Sequence, residues 1–341
     1  MDDSKMAREG DLLETQDGLI FDVKGFVHPP DRVIAFPRFI PSPEGDRKLR
    51  GRAYKKIYAL SERFEFLEEK LPHYLVSDHV FGDVLCEVPQ KDVRRYYDPA
   101  NHLINLRGSR QLDLLETDAL RLHETLHSKA NVTWSSLGIS GSLLAGLHTV
   151  ESDIDPIVYG TAEGTKVHES LEHLTRDSTS ALRAYSLDEL RELYCFRRQD
   201  TRIGFDDFVK TERRKVLQGK FGGHDYFIRF VRDWAEIDEQ YGDSIYCRTG
   251  YARIKASVTD DSESIFTPCR YPVETVRVLD GKGAEDVVEV ASFRGRFCEQ
   301  ARTGETIIAQ GKTEKVQTKD GNSFSRLLLG SQPSDFMVLE T

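Results

Sequence analysis

Apolar and polar positions divide the chain into three stretches of different rhythm. Residues 18–110 open with two apolar runs, GLIFDVKGFV and RVIAFPRFI, separated by His28-Pro29-Pro30-Asp31. Such runs, bounded by proline and aspartate, read as strands joined by a turn. A helical stretch is expected near Tyr54–Lys70 and another strand over His79–Val88. Together they predict a small N-terminal α+β domain, preceded by a polar, acidic and frayed terminus over residues 1–17.

Residues 111–243 follow another period. Leu112, Leu115, Ala119, Leu122 and Leu126 recur at three and four, the stripe of an amphipathic helix. Short strands are expected at Ser135–Ser140, Ile154–Tyr159 and Tyr226–Val231. Polar helices are expected at Thr165–Arg176, Leu187–Arg197 and Asp206–Gly219. Helices alternating with strands predict an α/β unit. Residues 244–341 are nearly all β in pattern, with VETVRVL, VVEVASF, ETIIAQG and SFSRLLLG punctuated by glycine and proline. Lys319-Asp320-Gly321-Asn322 is a hairpin signal. A C-terminal barrel or sandwich follows, an oligonucleotide-binding barrel being one form of it.

Composition sharpens this picture. The chain has 341 residues, enough for two or three domains, and 39% of them are hydrophobic. No stretch approaches about 18 uncharged apolar residues, so no transmembrane helix is expected. The N-terminus lacks the apolar core of a signal peptide. Five scattered cysteines without a CxxC pair argue against a disulfide framework or a cysteine zinc site. The expectation is a soluble, cytoplasmic protein. A formal charge of −10 argues at first against nucleic acid. Residues 111–243 carry −8 of it, and each flanking stretch only −1.

The acidic stretch contains the candidate chemistry, GISGSLLAGLHTVESDIDPIVYG. Gly141-Ser142 ends a strand-like run and opens a short helix, where free backbone N–H groups and a hydroxyl suit a phosphate. Ten intervening residues then lead to Asp153-Ile154-Asp155. Residues two apart on a strand share a face, so both carboxylates project together. Such a pair calls for a cation between them. Hard oxygen ligands of this kind suit Mg2+ shared with substrate phosphates.

This pattern resembles the signature of the DNA polymerase β-like nucleotidyltransferase superfamily: a hydrophobic residue, Gly, Gly or Ser, a spacer, then Asp-hydrophobic-Asp. The wider string resembles an uncharacterised archaeal family of predicted nucleotidyltransferases of about this length. The resemblance implies a small mixed sheet with helices as the central domain, flanked by the α+β and β-rich domains. It implies Mg2+ (or Mn2+) on Asp153 and Asp155, a nucleoside triphosphate such as ATP held at Gly141 and Ser142, and transfer of its NMP to a hydroxyl acceptor. It also implies a third carboxylate just before a hydrophobic-Arg-hydrophobic triplet. In HDYFIRFVRD the triplet is Ile228-Arg229-Phe230, and the expected position holds Phe227. Asp225, two residues earlier on the same strand face, is the candidate substitute. Arg229 is a candidate triphosphate ligand. With Phe227 in that place, a non-catalytic nucleotide- or RNA-binding module is the alternative.

Three further features compete for attention. His123-Glu124-Thr125-Leu126-His127 is an HExxH pattern, which on a helix suits a zinc peptidase. Position 133, where an extended zinc motif wants histidine, is Thr133; Glu151 is a distant third ligand. The helix stripe leaves both histidines on a flank, where a solvated pair is expected. Between Arg32 and Lys56 lie eight basic residues against Glu44 and Asp46, interleaved with Phe36, Phe39 and Tyr54 and followed by Tyr58. Cations and stacking aromatics suit an RNA or DNA acceptor. Arg213-Arg214-Lys215 with Lys220 is a second basic cluster, a triphosphate ligand or an exposed helix face.

Overall fold

Leu12 and Leu13 are neighbours, and both are buried. Adjacent strand residues point to opposite faces, so the sheet that holds them is covered on both sides. The computed structural model describes residues 7–284 and 286–340. Leu12–Thr15 is a strand, fully buried, where the sequence suggests a frayed end. It pairs with Ile20–Val23 on one side and Val93–Tyr97 on the other. The sheet continues through Arg32–Pro41 and Arg52–Lys56 to Arg47–Leu49. The strand Arg52–Lys56 overlaps the start of the stretch expected to be helical, Tyr54–Lys70; the helix begins only at Leu60 and ends at Lys70. Pairing with Arg32–Pro41 overrides the local pattern, because it buries Tyr54 and Lys56 on one face of the sheet.

The two faces of this sheet have different partners. Leu13, Phe21, Val23, Val33 and Ala35 pack with Leu67 of the helix Leu60–Lys70. Leu12, Ile20, Phe39 and Tyr54 pack with Leu144, Ala145 and Leu147, directly after Gly141-Ser142. The N-terminal sheet is therefore the floor on which the Gly-Ser turn rests.

The Asp-x-Asp segment leads directly into the middle strand of a second, small sheet. Pro156–Tyr159 runs antiparallel to Leu137–Ile139 and parallel to Arg229–Val231. A third sheet joins Leu182–Arg183, Gln218–Phe221 and His224–Phe227. The helix expected over Asp206–Gly219 is shorter, Phe205–Glu212.

The chain forms two compact units. The first comprises residues 7–76, 86–184 and 216–238 of the described chain, and the second comprises 77–85, 185–215 and 239–340. The second unit holds a closed five-stranded barrel: Ser244–Val258, Cys269–Gly281, Val287–Ser292, Ser323–Leu329, Thr306–Thr318, and back to Ser244–Val258. Its pairings are antiparallel except for Val287–Ser292 with Ser323–Leu329. The parallel pair joins strands that are not consecutive, and the pairing of Ser244–Val258 with both Cys269–Gly281 and Thr306–Thr318 closes the barrel. The Lys319–Asn322 turn joins its last two strands, as the sequence predicts. Among the described residues no helix is long and apolar enough to cross a membrane.

Candidate active site

Gly141 and Asp155 touch. Gly141 adopts φ +64°, and a Cβ placed on it would lie 1.8 Å from Oδ2 of Asp155. Only glycine satisfies both conditions. The turn then enters the short helix Gly141–Ala145, which ends at Gly146 in the left-handed region. Ser142 is fully buried, and its Oγ has no hydrogen-bond partner among the described residues. A buried hydroxyl without a partner costs free energy unless a ligand supplies one. The Ser140 hydroxyl, by contrast, is held by the Gly10 carbonyl at 2.6 Å.

Backbone hydrogen bonds fix the acidic pair. The Ser140 N–H donates to the Asp155 carbonyl, and the Ile154 N–H donates to the Asp225 carbonyl. Ile154 is fully buried, as its place between two outward carboxylates requires. The Asp153 side chain is 40% exposed. Burial, and then the charge of Asp153, push the Asp155 carboxyl up to about 7. Lys56, Arg229 and Arg38 act in the opposite direction.

Two of those cations come from the N-terminal sheet. The Lys56 ammonium, 5% exposed, lies 3.8 Å from Oδ1 of Asp153. Arg38 sits at a register shift: Ile20 pairs with Phe39, but Phe21 pairs with Pro37. Arg38 is thus the extra residue of a β-bulge, a device that re-aims a side chain. It reaches the charges of both Asp155 and Asp22. Tyr58, 41% exposed, lies beside both cations, 4.9 Å from Lys56 and 5.3 Å from Arg38 to the ring centroid. The sequence places Lys56 and Arg38 in a basic stretch, but not against the aspartates. Arg52 is exposed while Tyr54 and Lys56 are buried, so alternation along the strand does not mark Lys56 as facing inward.

Arg229 belongs to the same network. Its guanidinium contacts Glu9 at 2.9 Å and Asp22 at 3.9 Å. Lys24 binds the same two carboxylates, at 3.1 Å and 2.8 Å. Burial alone would raise the Asp22 carboxyl; Lys24, Arg229, Arg63 and Arg38 override it and hold it well below the usual carboxylate range.

The strand across from the pair is in register, and the third position is apolar. The Ile154–Tyr226 bridge sets Asp153 opposite Asp225 and Asp155 opposite Phe227. The Asp225 carboxylate pairs with Lys220 at 3.0 Å. Among the described residues, the grouping of three or more metal-ligating side chains within reach of one another is Asp113, Glu116 and His148, not the three aspartates. That grouping is a helix cap: Asp113 and Glu116 form the capping box of Leu114–Ala130, and His148 binds Asp113 at 2.7 Å.

An archaeal protein aligns with nearly the whole chain. The chain is 32% identical over 334 residues to the uncharacterized protein MJ1086 of Methanocaldococcus jannaschii, spanning 96% of each. The chain belongs to that protein's family. No family model matches the chain, and no solved structure matches it.

In this member of the family the HExxH pattern is structural. His123 is fully buried, not solvated, and burial lowers its pKa. Its Nδ1 faces the Ala119 carbonyl at 2.7 Å and its Nε2 the Gly138 carbonyl at 2.9 Å. Neither nitrogen is open to a metal. His127 Nδ1 meets the Val132 carbonyl at 2.6 Å, and its ring lies against Trp134. Glu124 is exposed.

The basic clusters separate by role. Arg47 is buried and donates to the Leu147 carbonyl at 2.6 Å, tying the N-terminal hairpin to the loop before Asp153. Lys48, Arg50, Arg52 and Lys55 of that hairpin are exposed. In the other cluster Arg213 is exposed, and the remaining three cations are paired with other residues. Arg214 binds Glu305, buried Lys215 binds Glu212 and the Arg296 carbonyl, and Lys220 binds Asp225. Residues 185–215 fall in the second unit, with the barrel.

Proposed function

We propose that the chain is a Mg2+-dependent nucleotidyltransferase of the DNA polymerase β-like superfamily. The contact between Gly141 and Asp155 carries this reading, because it joins the two halves of the motif in space. A mixed sheet with an antiparallel strand before the Gly-Ser turn and a parallel strand beyond the Asp-x-Asp supports it.

The donor set fits a hard divalent ion. Two carboxylates share a face, and Asp155 is driven toward its neutral form until a cation stabilises its charge. Asp153 and Asp155 would hold Mg2+ (or Mn2+). Bound there, the ion supplies positive charge to the triphosphate and to the leaving pyrophosphate. Ser142 Oγ offers its unpaired hydroxyl to the β/γ-phosphates, with Gly141 admitting the close approach. Lys56 and Arg38 add fixed positive charge on the opposite wall. The acceptor hydroxyl attacks the α-phosphorus, and a new O–P bond forms as the bond to the β-phosphate oxygen breaks. Pyrophosphate leaves and the hydroxyl proton passes to solvent.

An RNA or DNA acceptor suits the exposed cations of the Arg47–Lys56 hairpin and the ring of Tyr58. The barrel of the second unit is of a type that binds oligonucleotides elsewhere, which is an argument from fold alone.

Phe227 and the Lys220–Asp225 pair favour a second reading, a module that binds the nucleotide without turnover. Calorimetry with ATP and Mg2+, run beside a transfer assay with α-labelled nucleotide, separates the two. Label on an acceptor supports the transferase. Binding that needs Asp153 and Asp155, with no transfer to RNA, DNA or protein acceptors, supports the module.

A further inference from the structure

The acidic pair already has a cation of its own. Lys56 is a strand residue at the inner edge of the N-terminal sheet, paired across the strands with Phe39. Its side chain is almost wholly removed from water, yet it carries an ammonium. Removing that charge from water is costly, and the cost is offset only by a nearby anion and by aromatic faces. Asp153 provides the first at 3.8 Å, and Tyr58 and Phe39 provide the second at 4.9 and 6.0 Å. The site therefore places a fixed positive charge on one of the two carboxylates that would otherwise serve cations alone.

The opposite strand removes anionic charge from the same place. A pair of divalent ions needs ligands beyond two carboxylates. Here the residue level with Asp155 is Phe227, and the acid level with Asp153 is engaged by Lys220. Two further acids of the same charge network, Glu9 and Asp22, are engaged by Lys24 and Arg229. Two strands from different sheets thus act together: one withholds a carboxylate and the other adds an ammonium.

We propose that Lys56 takes the place of a second metal ion, so that Asp153 and Asp155 bind a single divalent cation beside a nucleoside triphosphate. The ammonium supplies one unit of positive charge permanently, and the exchangeable ion supplies the rest. Lys56 is a positioning residue for the metal and a fixed counter-charge for the phosphates. This rests on the nucleotidyltransferase reading of the same pair, and it concerns metal stoichiometry, which that reading leaves open.

The test counts ions without turnover. The full chain is saturated with the α,β-methylene analogue of ATP and titrated with Mn2+, and bound ions are counted by electron paramagnetic resonance. One Mn2+ per chain is expected for the wild type and for Lys56→Arg, and two for Lys56→Met. Without nucleotide, Lys56→Met is expected to bind its first Mn2+ at least about tenfold more tightly, since a neighbouring like charge is gone. Two ions on the wild type would overturn the inference and leave the transferase reading standing; this count needs no variant to fold. One ion on both wild type and Lys56→Met, with equal affinity, would also overturn it. Mn2+ binding indifferent to Asp153→Asn and Asp155→Asn would remove the reading itself, and the inference with it.

Discussion

The Asp155 carboxylate occupies the space where a Gly141 side chain would stand. This single contact makes the Gly-Ser turn and the Asp-x-Asp strand one unit, and it makes Gly141 irreplaceable. Gly141→Ala is expected to cost about 1–3 kcal/mol from its positive φ alone, and to displace Asp155. Urea unfolding reads the first effect. A variant of wild-type stability would mean that the turn relaxes without strain.

Ser142→Ala should behave differently. Its hydroxyl has no partner among the described residues, so removing it leaves none of them unpaired. The unliganded protein should be as stable as the wild type or slightly more so. Affinity for ATP with Mg2+ should fall by about five- to tenfold, the worth of one hydrogen bond to a charged group. Calorimetry that shows unchanged affinity would take Ser142 out of the phosphate site.

Asp155 should leave a signature in the pH dependence of stability. An aspartate in the unfolded chain titrates near 3.8, and burial pushes Asp155 up to about 7 in the folded one. Between those values the folded state holds a proton that the unfolded state has released. Metal-free stability therefore falls as pH rises from about 4 to about 7, by at most about 1.4 kcal/mol per pH unit for this group. Asp11, also pushed up to about 7 by burial, adds a contribution of the same sign. His28, pushed down to about 4 by burial, adds one of opposite sign between about 4 and 6.5. Comparison with Asp155→Asn isolates the first: the wild type should lose stability relative to the variant across this window. Parallel curves would show that Asp155 holds no extra proton.

The two acids facing each other across the sheet should differ in weight. Asp225 is half-exposed and satisfied by Lys220, so Asp225→Asn should lower transfer by no more than about threefold, the scale of an exposed ion pair. Asp153→Asn should abolish it. Rates for the two variants with labelled nucleotide decide this, and equal losses would return Asp225 to the catalytic set.

The HExxH segment should matter for folding and not for chemistry. His123→Ala removes a fully buried ring facing two carbonyls and should cost about 2–4 kcal/mol. Glu124→Ala, on the exposed side of the same helix, should change neither stability nor transfer. Loss of transfer on zinc chelation, or in Glu124→Ala, would contradict this assignment.

What the sequence made legible was what depends on local spacing. Gly141, Ser142, Asp153 and Asp155 lie within one strand–helix–strand passage, and their separations suffice to bring them together. The hairpin at Lys319–Asn322 follows from the same kind of short-range signal, whereas the choice of a closed barrel over a sandwich is made by the distant pairing of Ser244–Val258 with Thr306–Thr318. What depends on distant pairing was hidden. Arg52–Lys56 is a strand only because Arg32–Pro41 lies beside it, so the inward turn of Lys56 could not be read from a stretch that looked helical. Arg38 is aimed by a bulge that exists only in the pairing with Ile20–Val23. The stripe from Leu112 to Leu126 places His123 on a flank. The helix is in fact buried over a wider arc, where Gly138 comes close enough to accept from the imidazole.

The central claim is that Asp153 and Asp155 carry nucleotidyl transfer. Release of pyrophosphate from ATP in the presence of Mg2+ and an oligonucleotide or protein acceptor, with the α-label followed onto the acceptor, tests it most directly. The account predicts transfer by the wild type and none by an Asp153→Ala, Asp155→Ala double variant that keeps its fold. Equal transfer by both proteins would contradict it.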